Sequence, residues 1–516
     1  MKKHILSIMV FCTALYANAQ EYLHINSHWY ENDIPVELID SITYGELSHS
    51  DKLPAIIAQD PNISIFCEAL QLTHMSDSLF EVFDYDYWSE KDKFYLGLYD
   101  GDLCYALSTI KKGYTVFAET DSVYAAHGIH NIEDLKAYAA NVYNEVYPKD
   151  AGITDPTDRR NSLNRFVSYH LLDRRATKSN LTATGISNNR SGAVKEKYNP
   201  NKIDIADWYE TMMPHSLMKC SSPWLSGQET VFINRRGLRT LPVRDVFVEG
   251  AEIVNASNYN FQGVAVNGYY HYINDIIAYD KQTQEVVLDE QIIINNSTMS
   301  PEFFNNDMRI NNPYPSMQNS GEILIPHNAL KNIKVYDAST RLFYLFNWSW
   351  ANLQTDEFLV LGAFDFAIKL PPVPAGTYEL NMGYSTNTKR TISAFYLDGE
   401  LCDTVDLRLL ANYPEIGWVS DDYLETPEAI AQNDSLLFVN GYRKGLDYCY
   451  INSGGQRQTQ RSSSGCLRRI ITTFTTDGKT DHYLRFKNVN PADDGKSQFM
   501  MDYIELCPTH LLNEYK

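Results

Sequence analysis

Apolar residues recur at helical spacing up to about residue 180 and at strand alternation beyond it. Asp51 precedes Leu53, Ile56 and Ile57 with Pro54 in the first turn, and Ile65, Phe66, Ala69, Leu70 and Leu72 continue the helical pattern. Asn131, with Asp134 three positions on, predicts a capped helix whose inner face is Ile132, Leu135, Ala139, Val142 and Val146 and whose stop is Pro148. Another helix starts near Asn161, with Leu163, Phe166, Val167, His170 and Leu171 on its apolar face. Between these, residues 113–118 read as a short aromatic and β-branched strand.

Residues 178–201 are rich in Ser, Asn, Gly and Lys and predict a loop or mobile excursion. Strand-like runs follow at 231–234, 246–254, 269–279 and 286–294, and an Asn-, Pro- and Ser-rich stretch at 295–326 predicts a connection between domains. Beyond it, Tyr378, Leu380, Met382 and Tyr384 alternate with Thr377, Glu379 and Asn381, the signature of a half-buried strand. Asp398-Gly399 and Asp477-Gly478 are hairpin turn signals. Many short strands of this kind predict a β-sandwich.

The N-terminus changes the picture. Lys2 and Lys3 precede an apolar run, and Ala17-Asn18-Ala19 supplies the small residues that a signal peptidase accepts, so residues 1–19 predict a signal peptide and an exported chain. The expected destination is periplasmic, outer-surface or secreted, and a mature chain of this kind is soluble or peripherally attached to the envelope. The chain has 44 Lys and Arg against 65 Asp and Glu, a formal charge of −21 that repels a phosphate backbone and argues against nucleic acid as a partner. Of eight cysteines, seven follow the cleavage site, none of them in a CxxC pair; an oxidising compartment permits a bond such as one between Cys449 and Cys466, which would close a polar loop, and buried free thiols are the expectation for most.

Three segments carry a resemblance. Tyr114-Thr-Val-Phe-Ala-Glu-Thr-Asp121 resembles the first motif of the fasciclin domain, with Glu119 in place of its usual proline. Phe166-Val-Ser-Tyr-His-Leu-Leu172 resembles the family's central helix, and Val266-Asn-Gly-Tyr-Tyr-His-Tyr-Ile-Asn-Asp-Ile-Ile277 its second motif, with Asn274 where an aspartate is usual. Thr115, Phe117, Thr120, Asp121, Tyr169, His170, Asn267, Gly268 and His271 are the motif positions, expected in structural roles. His170 and His271 read as satisfied core histidines, because no Ser or Cys nucleophile stands in an activation motif beside them.

The resemblance implies an α+β fasciclin domain, a β-sandwich wedge with helices, working extracellularly in adhesion or in protein and glycan contacts. Pro374-Ala-Gly-Thr-Tyr-Glu-Leu380, Phe395-Tyr-Leu-Asp-Gly399 and Met501-Asp-Tyr-Ile-Glu-Leu506 look like galactose-binding-like jelly rolls of exported bacterial envelope proteins. The expected order is a signal peptide at 1–19, an N-terminal segment at 20–49 and a fasciclin-like domain at 50–294 with an insertion around 178–235. A linker at 295–326 and an all-β jelly-roll sandwich at 327–516 complete it.

A glycan-contact surface needs flat aromatic faces and planar polar groups in an open cleft. Trp418, Tyr423, Trp348, Trp350, Tyr448 and Tyr450 are the candidates, and Trp418, after Pro414 and Gly417, is the one expected to be exposed. No catalytic residue, cofactor or metal is expected; Asp84, Asp86 and Glu90 lack the glycine and spacing of a calcium loop and read as a solvated acidic loop. The partner is expected to be a polysaccharide or a cell-surface protein. A structural subunit of an envelope assembly is the alternative function, and a glycan-active hydrolase the third.

Overall fold

The structure, a computed structural model, describes residues 22–27, 30–35, 51–87, 109–182, 205–222, 224–225, 228–240, 243–248, 250–254, 263–309, 321–346, 352–446, 449–451, 457–490 and 497–512. They fall into two units, Met1–Leu47 and Ser48–Lys516. In the first, strands β1 (Tyr22–Ser27) and β2 (Tyr30–Pro35) form an antiparallel hairpin. The leader expected at 1–19 lies outside the described residues.

The second unit begins with helices α1 (Leu53–Ile57), α2 (Ser64–Leu72) and α3 (Met75–Ser78). The cap of α1 is Lys52 rather than Asp51, because the Asp51 carbonyl accepts the Val266 amide. Strand β3 (Tyr114–Glu119), helices α4 (Asp121–Ala126), α5 (Ile132–Val146) and α6 (Ser162–Tyr169) and strand β4 (Leu171–Leu172) follow. Asn131 caps α5 by accepting the Glu133 and Asp134 amides at 2.9 and 3.1 Å, as its spacing predicts.

Strands β5 (Ile205–Glu210), β6 (Leu217–Ser222), β9 (Phe232–Ile233) and β12 (Ala251–Glu252) make a sheet ordered β12-β9-β6-β5. Two ribbons flank it in sequence: β7 (Trp224–Leu225) with β8 (Gln228–Glu229), and β10 (Arg236–Thr240) with β11 (Val243–Val248). Strands β13 (Val264–Ala265) and β14 (Gly268–Ile273) join β3 and β4 in the order β13-β14-β3-β4, and β14 runs parallel to β3. One apolar core packs α1, α2, α5 and α6 on these sheets through Leu53, Phe66, Phe117, Leu135, Phe166 and Ile273.

The rest is β-rich. Strands β15 (Ile292–Asn295), β16 (Gly321–Ile325), β18 (Arg341–Phe346), β19 (Asp356–Leu361), β21 (Gly376–Ser385), β24 (Tyr442–Lys444), β27 (Cys466–Thr476) and β29 (Gln498–Pro508) form one eight-stranded sheet. Its order is β16-β18-β19-β29-β21-β27-β24, with β15 on β29. Strands β17 (Ile333–Val335), β20 (Asp365–Lys369), β22 (Ile392–Leu397), β23 (Glu400–Asp406) and β28 (Tyr483–Asn488) form a second sheet, ordered β17-β20-β28-β22-β23. A phenylalanine cluster joins them: Phe486 lies 5.0 Å from Phe366 and 4.9 Å from Phe499 between ring centroids. The hairpin at Asp398-Gly399 has positive φ at both residues, 52° and 93°, the conformation that the Asp-Gly pair signals. Helix α9 (Pro427–Val439) and a ribbon of β25 (Cys449–Ile451) with β26 (Arg457–Thr459) are carried between strands β23 and β27.

The stretch around residue 290 departs from its composition. Of the strand expected at 286–294, residues 286–288 instead close helix α7 (Lys281–Leu288), capped by Asp280, while residues 292–294 are strand within β15, which enters the sandwich sheet. Asn295, Asn296 and Ser297 are buried, and helix α8 (Glu302–Asn305) follows. Side-chain amides explain how so polar a connection is enclosed: Asn296 Nδ2 donates to the Met501 and Asp502 carbonyls at 2.9 and 2.8 Å. In the expected excursion at 178–201, Asn180, Leu181 and Thr182 are buried, and residues 183–201 lie outside the described residues.

Candidate functional site

Of the nine motif residues of the first half, seven are buried, and Thr120 and Asp121 are half-buried at the start of a helix. Thr115 Oγ1 donates to the Arg174 carbonyl at 2.6 Å and accepts the Ala176 amide at 2.9 Å, tying β3 to the segment after α6. Phe117 is fully buried, with the His271 ring 5.9 Å away. Thr120 caps α4, while Asp121 reaches to another helix and accepts the Ser64 and Ile65 amides at the start of α2. Asn267 accepts the Leu53 amide at 3.0 Å and donates to the Leu79 and Glu81 carbonyls. At Gly268 a Cβ would lie 2.3 Å from the Tyr114 carbonyl oxygen, so the parallel pairing of β14 with β3 requires glycine there.

Tyr169 OH donates to the Leu217 carbonyl. His271 is bonded through Nε2 to the Ala176 carbonyl at 2.9 Å, and burial pushes its ring down to about 4. His170 Nε2 lies 2.7 Å from Glu119 Oε1, and its Nδ1 2.7 Å from the Phe166 carbonyl, so both ring nitrogens face oxygens. Glu119, fully buried, also accepts from Tyr124 OH at 2.9 Å and from the Ile277 amide at 3.2 Å. The glutamate read from sequence as a departure from a motif is thus the hub of four segments.

Among the aromatic candidates of the sandwich half, Trp348, Trp350 and Tyr448 lie outside the described residues. Tyr450 sits in β25 opposite Gln458, and its side chain is outside them as well. Trp418 was expected to be exposed; at 9% it is buried. The turn at Gly417, with φ of 82°, folds the chain back so that the Trp418 amide reaches the Ala411 carbonyl, and Asn433 of α9 bonds the residues on either side of Trp418. Tyr423 is 81% exposed. Beside it Asp421 is paired with Lys444 and Arg461, and Arg461 also pairs with Asp434 of α9 at 2.5 Å. These four charges pin Tyr423's segment and α9 to the sheet.

A second surface stands out on the outer face of the five-stranded sheet. Residues opposite one another in an antiparallel ladder share a face, and here one row runs Lys334, Ala367, Arg485, Tyr396, Leu401 across all five strands. The next row holds Asp365, Lys487, Ala394 and Thr404, and Lys369 faces Tyr483 on the other side. The Arg485 guanidinium lies 4.7 Å from the Tyr336 ring centroid and 5.5 Å from that of Tyr396, while Lys334 Nζ lies 3.8 Å from that of Tyr483. Arg485 makes two 2.6 Å bonds to Asp365, a bidentate pair that holds the guanidinium flat. Tyr336 and Leu401 are 55% and 58% exposed, so the face is open.

The eight-stranded sheet carries a different constellation, enclosed carboxyls. Burial pushes Asp356 up to about 6 and Glu357 up to about 7, and raises Asp502 well above the usual carboxylate range. Asp356 accepts from Tyr344 OH and Asn295 Nδ2, Asp502 from the Leu353 amide and Gln460 Nε2, and Glu357 from Ser385 Oγ. All three are at most 3% exposed, so they are positioned to hold protons within the fold. Among the described residues no group of three or more His, Cys, Asp or Glu is arranged to hold a metal ion, and no helix is long and apolar enough to cross a membrane.

No family model matches this chain. No curated protein matches it either. Among solved structures, a xanthan lyase from Paenibacillus aligns at 13% identity over 36% of this chain, with a TM-score of 0.16. The alignment spans 12% of that solved chain's own length, and a likeness of this depth carries no argument about fold or activity.

The open face escaped the sequence reading because its members come from five strands between residues 333 and 488. One signal was present: Tyr483, Arg485 and Lys487 alternate with Leu484 and Phe486, which places an aromatic and two cations on one side of a strand whose other side is core.

Proposed function

We propose that the chain is an exported, non-enzymatic cell-surface adhesion or glycan-contact protein, with a fasciclin-like first half as scaffold and a jelly-roll sandwich as its ligand-facing module. The observation that supports this reading is the open outer face of the five-stranded sheet, where Tyr336, Tyr396 and Tyr483 are interleaved with cations on a hydrogen-bonded ladder. Tyrosine rings offer apolar faces to pyranose C–H groups and hydroxyls to their polar edges, and a rigid sheet presents them with little entropy left to lose on binding. Calorimetry of the full chain against neutral and acidic polysaccharides tests it. Saturable binding that weakens at least tenfold in the Tyr336→Ala/Tyr396→Ala double variant is the expected result; an absence of binding to every polymer would remove the reading.

A second observation favours the alternative, a structural subunit of an envelope assembly. Tyr413, Val419, Leu436 and Val439 are all more than a third exposed, and Gly417 and Asn433 tie their segments together. Apolar side chains displayed this way on a loop and a helix suit a protein partner. Leu436→Asp/Val439→Asp would disrupt such an assembly and leave polysaccharide binding unchanged.

A further inference from the structure

We infer that helix α9 and the loop before it form a docking surface for a basic protein segment with apolar anchors, a cationic amphipathic stretch of a partner chain. The inference rests on the protein-partner reading above and names the chemistry of that partner. Among the described residues thirteen large apolar side chains are exposed, and six of them fall between residues 413 and 439: Tyr413, Val419, Tyr423, Leu436, Phe438 and Val439. Hydrogen bonds hold loop and helix together. Asn433 Nδ2 donates to the Gly417 carbonyl at 2.8 Å, and Asn440 Nδ2 to the Ile416 carbonyl at 3.1 Å. A Cβ on Gly417 would lie 2.9 Å from Leu436 Cδ2, so the turn rests against that side chain.

The charges around this patch are of one sign. Residues 409–442 contain six carboxylates and no Lys, Arg or His. Asp421 and Asp434 are matched by Lys444 and Arg461. The cations of the flanking segments are matched as well, Arg408 by Asp406, Arg443 by Glu379 and Arg469 by Asp403. Glu415, Asp422, Glu425 and Glu428 are left, all exposed and without a cationic partner among the described residues. The positive end of the helix dipole offsets about half of one charge, against three carboxylates gathered at the start of α9.

Glu428, Gln432, Ser435, Leu436 and Val439 follow helical spacing along one side of α9. Eleven residues separate Glu428 from Val439, a rise of about 16 Å. Acids therefore stand at one end of the strip and apolar side chains at the other, with Glu415 in the turn that carries Tyr413. A partner that covers the strip brings apolar side chains to Leu436 and Val439 and Lys or Arg to Glu425 and Glu428. A second copy of this chain would set the same acids against each other across a two-fold axis, and an anionic lipid surface would meet them with like charge.

The test is fluorescence anisotropy of the full chain with three labelled peptides of equal length, built from Lys and Leu, Lys and Ser, and Glu and Leu at helical spacing. The expected result is saturable binding of the Lys/Leu peptide, at least tenfold tighter than of the other two, and weakened at about 0.5 M salt, where surface charges are screened within a few ångströms. That binding falls at least tenfold in Leu436→Ser/Val439→Ser and in Glu425→Gln/Glu428→Gln, and it is retained in Glu425→Asp/Glu428→Asp. Glu68→Gln/Glu285→Gln, which removes the same charge from exposed positions elsewhere, leaves it unchanged. Binding of the Glu/Leu peptide as tight as that of the Lys/Leu peptide would overturn the basic class and leave the protein-partner reading standing. An equal loss in the Glu68/Glu285 variant, or equal binding of the Lys/Ser peptide, would overturn the site in favour of general attraction to an acidic chain. Sedimentation showing a dimer that Leu436→Ser/Val439→Ser dissolves would overturn it in favour of a second copy, and no binding by any peptide would overturn both the basic class and the protein-partner reading.

Discussion

Burial acts on single side chains in opposite directions in the two halves. Glu357, pushed up to about 7 from an ordinary 4.5, keeps in the folded chain a proton that the unfolded chain has lost, so the folded state binds more protons across that window. Stability contributed through this group therefore falls as pH rises from about 4.5 to about 7 and is level above it. Asp356 acts in the same direction. His271 does the reverse: pushed down to about 4 from 6.5, it stays neutral where the unfolded chain is protonated, and stability falls as pH drops through that range. Glu357→Gln, which keeps an acceptor for Ser385 and has no charge to desolvate, is expected to flatten the decline between pH 4.5 and 7, a difference on the order of 3 kcal/mol at neutral pH. Urea midpoints of the two proteins at pH 5 and 7.5 check this, and parallel pH profiles would refute it.

Elements were legible where a local rule decides them. Asn131 predicts its own helix, because a side-chain cap is satisfied within three residues, and Asp398-Gly399 predicts its hairpin because positive φ is an intrinsic preference of that pair. The last turn of helix α7, residues 286–288, carries strand signals, since Val286 and Val287 are β-branched and the cap, Asp280, lies upstream of the apolar run. Helix α9 depends on tertiary charge instead. Only Asn433 and Leu437 of it are buried, and Asp434 is held by Arg461, which also pairs with Asp421. Arg461→Met leaves two partly buried carboxylates short of a cation and is expected to cost about 1–3 kcal/mol locally. Hydrogen exchange should speed up across 420–440 while β29 stays protected; unchanged exchange in α9 would show that the clamp does not hold it.

At the scale of the molecule, the two regimes of sequence do not make two independent bodies. Strand β15, continuing from α7, pairs with β29 of the sandwich, and the fully buried Arg309 donates to Asp207 of β5 at 2.5 Å while Gln354 donates to the same carboxylate at 2.8 Å. Asp207→Ala strands a buried guanidinium between the halves, a change that typically costs about 3–5 kcal/mol. The calorimetric transition of Ser48–Lys516 is expected to shift down as a single peak. Two separated peaks of which only one moves would show that the halves unfold independently.

The sequence by itself determined the change from helical to strand patterning, the capped helix at Asn131, the hairpin at Asp398-Gly399 and the inward positions of His170 and His271, because periodicity, capping and turn chemistry act over a few residues. Only the tertiary structure decided that Trp418 is buried, that Glu119 joins four segments, that the Asn-rich stretch after Ile294 is enclosed, and that lysines, an arginine and tyrosines from separate strands meet on one face. Each of these depends on which strands become neighbours. Register and long-range hydrogen bonds set that, and they link residues far apart in the chain whose types carry no local mark of the partner they meet.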